Sequence, residues 1–158
     1  MNTQENEMLL TAEEIAINAH FGQKDNAGAS YILHVQRVAN GVGEDCVARI
    51  VALLHDVIED NEYPFQELLD NGISKEVVDA VDCLTHRQGE IYEDYIERIA
   101  LNTIATRVKL SDLKDNMSVW RMQTLEPYYI QRLHKYIKSY HRLMEVYEKN
   151  LHSHKQDS

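Results

Sequence analysis

The sequence is poor in residues that break or cross-link a chain: its 158 residues include two prolines, six glycines and two cysteines. So few breakers exclude a loop-rich or low-complexity chain. Cys46 and Cys83 form no CxxC pair, which excludes a disulfide framework, a cysteine zinc site and a redox pair, and suits a reducing compartment. No apolar run approaches the ~20 residues needed to span a bilayer. The start, Met1 to Glu7, is acidic where a signal peptide is basic, so a cytoplasmic protein without membrane contact is expected. Basic residues are also scarce, 16 against 26 acidic, for a formal net charge of -10. That excludes a broad surface for DNA, RNA or anionic lipid. A small anionic substrate would need a local cation.

What remains is a chain with 44% hydrophobic and 27% charged residues, enough to bury one core and of a size for one domain. Its apolar residues recur at helical spacing with little strand-like alternation, so the expected fold is all-α. Thr11-Ala-Glu-Glu14 has the form of a capping box and opens a helix to about Gly22, after a flexible N-terminus over 1–10. Gln23 to Ala29 reads as a loop, and a second helix runs from about Ser30 to Asn40. The third, about Asp45 to Ile58, is apolar all round and belongs in the core. Pro64 starts a short helix that Asn71-Gly72 closes, Ser74 caps the next, and Tyr92 to Ala100 follows a connector at His86 to Gly89. Asn102 or Thr103 begins a helix to about Met117. From Pro127, the residues Ile130, Leu133, Ile137, Tyr140, Met144, Tyr147 and Leu151 recur in steps of three and four. They predict a long C-terminal helix packed on its own domain, residues 11–151, with a homo-oligomer seam as the alternative. The tail, 152–158, is expected to be disordered.

The anomaly is Leu53-Leu-His-Asp-Val-Ile-Glu-Asp60, where the most apolar helix ends in His55, Asp56, Glu59 and Asp60. Buried charges need partners, hydrogen bonds or a metal. On a continuous helix, His55 with Glu59 and Asp56 with Asp60 stand at i,i+4 and form two adjacent columns. His34 in the second helix and Asp112 in Val108-Lys-Leu-Ser-Asp-Leu-Lys-Asp-Asn116 offer matching ligands from elsewhere in the chain. Imidazole with carboxylate and no thiolate suits manganese, iron or magnesium and leaves positions open for water and substrate.

A His, then His-Asp about twenty residues later, then a distant Asp on an all-α background resembles the HD superfamily of metal-dependent phosphohydrolases. Ala19-His-Phe-Gly-Gln-Lys24, Tyr31-Ile-Leu-His34, Leu53 to Asp60, Leu84-Thr85 and Val108 to Asn116 resemble, in that order, the hydrolase domain of the RelA/SpoT family. The resemblance covers about residues 12 to 120 and leaves no room for a synthetase domain, so it is to the single-domain members. It implies a single-domain HD-type helical bundle in which His34, His55, Asp56 and Asp112 bind one divalent metal, Mn2+. Glu59 and Asp60 match the acidic pair that positions and deprotonates water; Lys24 and Tyr31 match positions near the base, and Asn116 the ribose contact. Val35 stands where the family has proline, and Lys24-Asp25 where it has a basic doublet. Only His86 lies between the His-Asp doublet and Asp112, which favours one metal over two.

The implied activity is removal of the 3′-pyrophosphate from guanosine tetra- or pentaphosphate. The alternatives are an HD phosphohydrolase acting on another nucleotide or small phosphorylated metabolite, and a catalytically silent helical binding protein.

Overall fold

The computed structural model describes residues 3–61 and 63–156, with side chains described for 3–59 and 63–152. The described residues are helical with no strand: α1 (Thr3–Ala19), α2 (Ile32–Gly41), α3 (Cys46–Leu54), α4 (Val57–Asn61), α5 (Phe65–Asp70), α6 (Lys75–Leu84), α7 (Tyr92–Ala100), α8 (Thr103–Asn116), a 3-10 turn (Val119–Arg121) and α9 (Pro127–Gln156). The all-α expectation is met. Several ends follow from local chemistry: Asp45, Ser74 and Asn102 accept from the amides of Ala48, Val77 and Ala105 and cap α3, α6 and α8. Gly72, at φ +83°, adopts the left-handed turn after α5 that other residues resist.

Four expectations are corrected. Helix α1 starts at Thr3, so residues 3–10 are helical, with Met8 and Leu9 packed on the core; Thr11 lies inside the helix, and its hydroxyl donates to Glu7 O. A polar lead still forms helix when its apolar side is buried. Helix α9 continues to Gln156, through most of the tail expected to be disordered. The buried face of α9 is shifted from the expected stripe: Tyr140, Met144 and Tyr147 of that stripe pack on the core, but Tyr129, Tyr136 and Leu143 are the buried residues, and Ile130, Ile137 and Leu151 are exposed.

The fourth correction matters most for the site. The helix expected over Asp45 to Ile58 is interrupted at His55-Asp56, between α3 and α4. His55 Nδ1 lies 2.7 Å from Ala52 O, the carbonyl that an uninterrupted helix would offer to the Asp56 amide. The side chain competes for that acceptor, and the chain turns where the two presumed ligands stand.

Helix α3 is the centre of the bundle, with Ile50, Val51, Ala52 and Leu54 fully buried, and it packs against α1, α2, α6 and α8. Helices α2 and α8 approach closely at Gly41, where an added Cβ would collide with Ser111 Oγ. Ser111 Oγ donates to Val38 O at 2.8 Å, which locks the approach. Asp112 follows Ser111, so this contact delivers its carboxylate to the face of α2 that carries His34.

Candidate metal centre

His34, His55 and Asp112 are all buried, and each presents a ligand atom within 4.8 Å of the others. His34 Nε2 stands 3.3 Å from Asp112 Oδ1, and His55 Nε2 stands 3.7 Å from the same oxygen. Asp56 sits at the edge, with Oδ2 at 2.9 Å from His55 Nε2 and 3.7 Å from His34 Nε2. That oxygen also accepts the Tyr31 hydroxyl at 2.6 Å. The three elements of this cluster are the start of α2, the break after α3 and the middle of α8.

Both ring orientations are set from behind. His55 Nδ1 faces the Ala52 carbonyl and His34 Nδ1 faces Asp115 Oδ2, at 2.7 Å each, and both partners only accept. Each Nδ1 therefore carries hydrogen, and each Nε2 is turned to the carboxylates. His55 Nε2 is buried without a hydrogen bond although Asp56 lies close, so its lone pair has no protein donor. A cation between two imidazole nitrogens and two carboxylates satisfies what the protein leaves unsatisfied, and the donor set fits a divalent ion.

The electrostatics reflect the same deficit. Burial opposes charge on His34, yet Asp112, Asp115 and Asp56 outweigh it and push the ring up to about 11. Burial likewise opposes charge on His55, but Asp56 and Asp112 push it up to about 10. Burial would raise the Asp112 carboxyl, but Lys109 and the two histidines hold it well below the usual carboxylate range. Lys109 Nζ lies 2.8 Å from Asp112 Oδ2 and 5.4 Å from the Tyr95 ring centre. Lys109 is thus the protein's own cation against Asp112.

Two adjoining cavities meet at the cluster, sharing Tyr31, Asn116 and Arg132. The first has a wall from the loop between α1 and α2, including Gln23, Lys24 and Asn26, and faces Ser118, Met122 and Tyr129. Asp25, where the resembled family has a basic residue, accepts from the Ala27 and Ala29 amides and from Arg121, each at 2.9 Å. The second cavity contains Asp56, Asp112 and Glu59, with Lys109, Arg132 and Lys135 on its walls. Lys135 Nζ stands 4.0 Å from the Tyr92 ring centre, and the Tyr92 hydroxyl is buried without a hydrogen bond. Together these groups form a cationic and phenolic wall beside the carboxylates.

The structure thus brings His34, His55, Asp56 and Asp112 together, with Glu59 on the neighbouring cavity wall, where the His86 amide donates to Glu59 Oε2 at 2.8 Å. The break after α3 removes the expected two-column geometry. The Asp60 side chain lies outside those described. Lys24 reaches only the first cavity, away from the carboxylates. Tyr31, expected near the base, bonds Asp56, and Asn116 Nδ2 donates to Asp112 Oδ1 at 2.6 Å. Both therefore brace the centre as well as line the cavities. Arg98 holds the carbonyls of Asp82, Cys83 and Thr85 and the Glu90 carboxylate. Sequence reasoning missed Lys109 and Asp115, three residues either side of Asp112 and legible as its helix-face neighbours. It also missed Arg132, Lys135 and Tyr136, which no spacing in the sequence ties to the site.

No family model matches the chain. A guanosine-3′,5′-bis(diphosphate) 3′-pyrophosphohydrolase from Haemophilus influenzae is 38% identical over 116 residues, 65% of this chain and 17% of that protein. One from Aquifex aeolicus is 31% identical over 129 residues, 74% of this chain and 18% of that protein. A probable GTP pyrophosphokinase from Mycobacterium leprae is 31% identical over 123 residues, 70% and 15% of the two chains. The chain therefore spans less than a fifth of the length of the curated relatives it matches. A solved structure of a metazoan ortholog of SpoT, described as hydrolysing ppGpp, superposes with a TM-score of 0.69 at 20% identity, covering 95% of this chain and 97% of that one. It shares the fold. Together with the sequence likeness to the guanosine bis(diphosphate) pyrophosphohydrolases, the shared fold supports the resemblance to the HD-type RelA/SpoT family.

Proposed function

We propose that the chain is a metal-dependent phosphohydrolase that removes the 3′-pyrophosphate of guanosine tetra- or pentaphosphate, using one divalent ion, Mn2+. The observation that carries this reading is the convergence of His34, His55 and Asp112, both imidazoles fixed from behind, beside a cavity walled by Lys109, Arg132 and Lys135. The two named pyrophosphohydrolases among its relatives support the substrate.

His34, His55, Asp56 and Asp112 would hold the ion, which when bound supplies Lewis acidity to a phosphoryl oxygen and acidifies water. The Glu59 carboxylate, oriented by the His86 amide, takes the proton of the attacking water, and Asp60 shares that role in the sequence reading. Arg132 and Lys135 bind the phosphate oxygens and offset their charge, and Lys109 keeps Asp112 ionised. Asn116 and Lys24 line the nucleoside side, with Tyr31 between the two cavities.

The test is product analysis of the purified protein with Mn2+ and guanosine tetraphosphate, with Asp56→Ala as control. GDP and pyrophosphate in equal amounts from the wild type alone is the expected result. No turnover with metal bound would overturn the substrate, and a panel of guanine and adenine nucleotides would then separate another nucleotide from a silent binding protein.

A further inference from the structure

We infer that Asp115 is the positioning residue of His34: its carboxylate holds the imidazole so that Nε2 is presented to the metal centre, and Arg37 and Arg121 hold that carboxylate in turn. The inference rests on the metal-site reading above. Asp115 stands one turn beyond Asp112 on α8, so the helix presents both carboxylates towards α2, one on each side of the His34 ring. Asp115 Oδ2 lies 2.7 Å from His34 Nδ1, and Asp112 Oδ1 lies 3.3 Å from Nε2. The remaining ring contacts of His34 are tilted, with Tyr31 at 5.1 Å and His55 at 5.6 Å between centres. Neither selects between the two flips of the ring, whereas a pure acceptor at Nδ1 does.

The two histidines differ in how this is achieved. His55 is oriented by a backbone carbonyl within its own helix, which no substitution removes. His34 depends on a side chain from another helix, and that side chain is itself clamped. Arg37 Nε and Nη2 reach the two Asp115 oxygens at 2.6 and 3.0 Å, and Arg121 Nη2 stands 3.6 Å away. The fork-to-carboxylate geometry fixes the plane of the carboxylate as well as its charge. Arg121 also bonds Asp25, whose carboxylate closes the loop of the first cavity through Ala27 and Ala29. One ion network therefore ties a cavity wall to the ring of a ligand.

The test is Mn2+ titration of the full chain stripped of metal, followed by loss of the free-ion electron paramagnetic resonance signal, with circular dichroism to confirm the helical fold. Asp115→Asn keeps the shape but offers an amide donor that can face Nδ1 and move hydrogen to Nε2. A loss of about 10- to 100-fold in Mn2+ affinity is expected, the range for an orienting partner of a ligating histidine. Asp115→Glu, which retains the carboxylate, recovers the greater part of that loss and serves if the Asn variant fails to fold. Asp25→Asn removes a charge from the same network without touching His34 and leaves affinity near wild type. Wild-type affinity in Asp115→Asn overturns the inference, as does an equal loss in Asp25→Asn, which would make bulk charge the cause. If wild type binds Mn2+ and Asp112→Asn does not, the metal centre stands whatever Asp115 does. If wild type binds none, the metal centre falls and this inference falls with it.

Discussion

At the scale of residues, the site is a set of buried polar groups that are costly unless each is answered. Glu59 is the exposed member of the set, and its expected role is proton transfer. Glu59→Gln should keep Mn2+ and lose about 100-fold in turnover; loss of bound metal in that variant, read by metal analysis after gel filtration, would make Glu59 a ligand instead. The pH dependence of the metal-free protein follows from the histidines. Folding raises His34 to about 11 and His55 to about 10, from 6.5 for each. The folded state thus binds more protons than the unfolded state between about pH 6.5 and 10. Stability is complete below that window and falls as pH rises through it. Thermal melts in EDTA should show a lower midpoint at pH 9 than at pH 6.5, and an equal or higher one would contradict the cluster's charge balance. The four candidate residues were legible through the resemblance of their order to the HD pattern, and the fold brings their side chains together. Lys109 and Asp115 were within reach of the same helix arithmetic.

At the scale of elements, the centre depends on how closely α2 and α8 approach. Gly41 allows it, since any Cβ there collides with Ser111. Gly41→Ala should cost about 1–3 kcal/mol through overpacking despite the better helix propensity of alanine. It should also weaken Mn2+ binding by separating His34 from Asp112. Urea unfolding alongside metal titration checks both, and a variant as stable and as tight as wild type would remove this contact from the account. Helix α9 contributes Arg132 and Lys135 to a cavity built otherwise by other helices. Arg132→Gln should raise KM for guanosine tetraphosphate about 10-fold, the worth of one charge-assisted hydrogen bond, with Mn2+ affinity unchanged. The periodicity of α9 marked a long helix and part of its packed side, Tyr140, Met144 and Tyr147, but not the more deeply buried Tyr129, Tyr136 and Leu143, which packing against the other helices selects.

At the scale of the whole molecule, metal binding and folding should be linked, because the four proposed ligands come from three separate stretches of chain. An ion held by the folded state alone stabilises it by about 2.7 kcal/mol at a hundred times its dissociation constant. For a chain of this size that is a rise of about 5–10 °C in Tm on adding Mn2+ to the EDTA-treated protein. The rise should be greater at pH 9 than at pH 6.5, since protons compete less with the ion for the two imidazoles as the pH climbs towards their raised values. Asp112→Asn should abolish the rise, and a metal-induced shift in that variant would place the ion elsewhere. The net charge of -10 makes the cationic wall stand out, because Arg132, Lys135 and Lys109 concentrate positive charge at the cavity while the surface as a whole repels polyanions.

The helical class, the cap at Ser74, and the order His34, His55-Asp56, Asp112 were determined by the sequence alone, since each rests on local spacing or residue chemistry. The break after α3 was not, because it arises when the His55 ring takes a carbonyl from its own helix, a competition that helical periodicity does not register. The clamping of His34 by Asp115 and the delivery of Arg132 and Lys135 by α9 were decided by tertiary structure. They depend on the close approach at Gly41 and on the face of α9 that its tyrosines bury. Pairings across tens of residues are set by packing, and the linear pattern holds no distance between them.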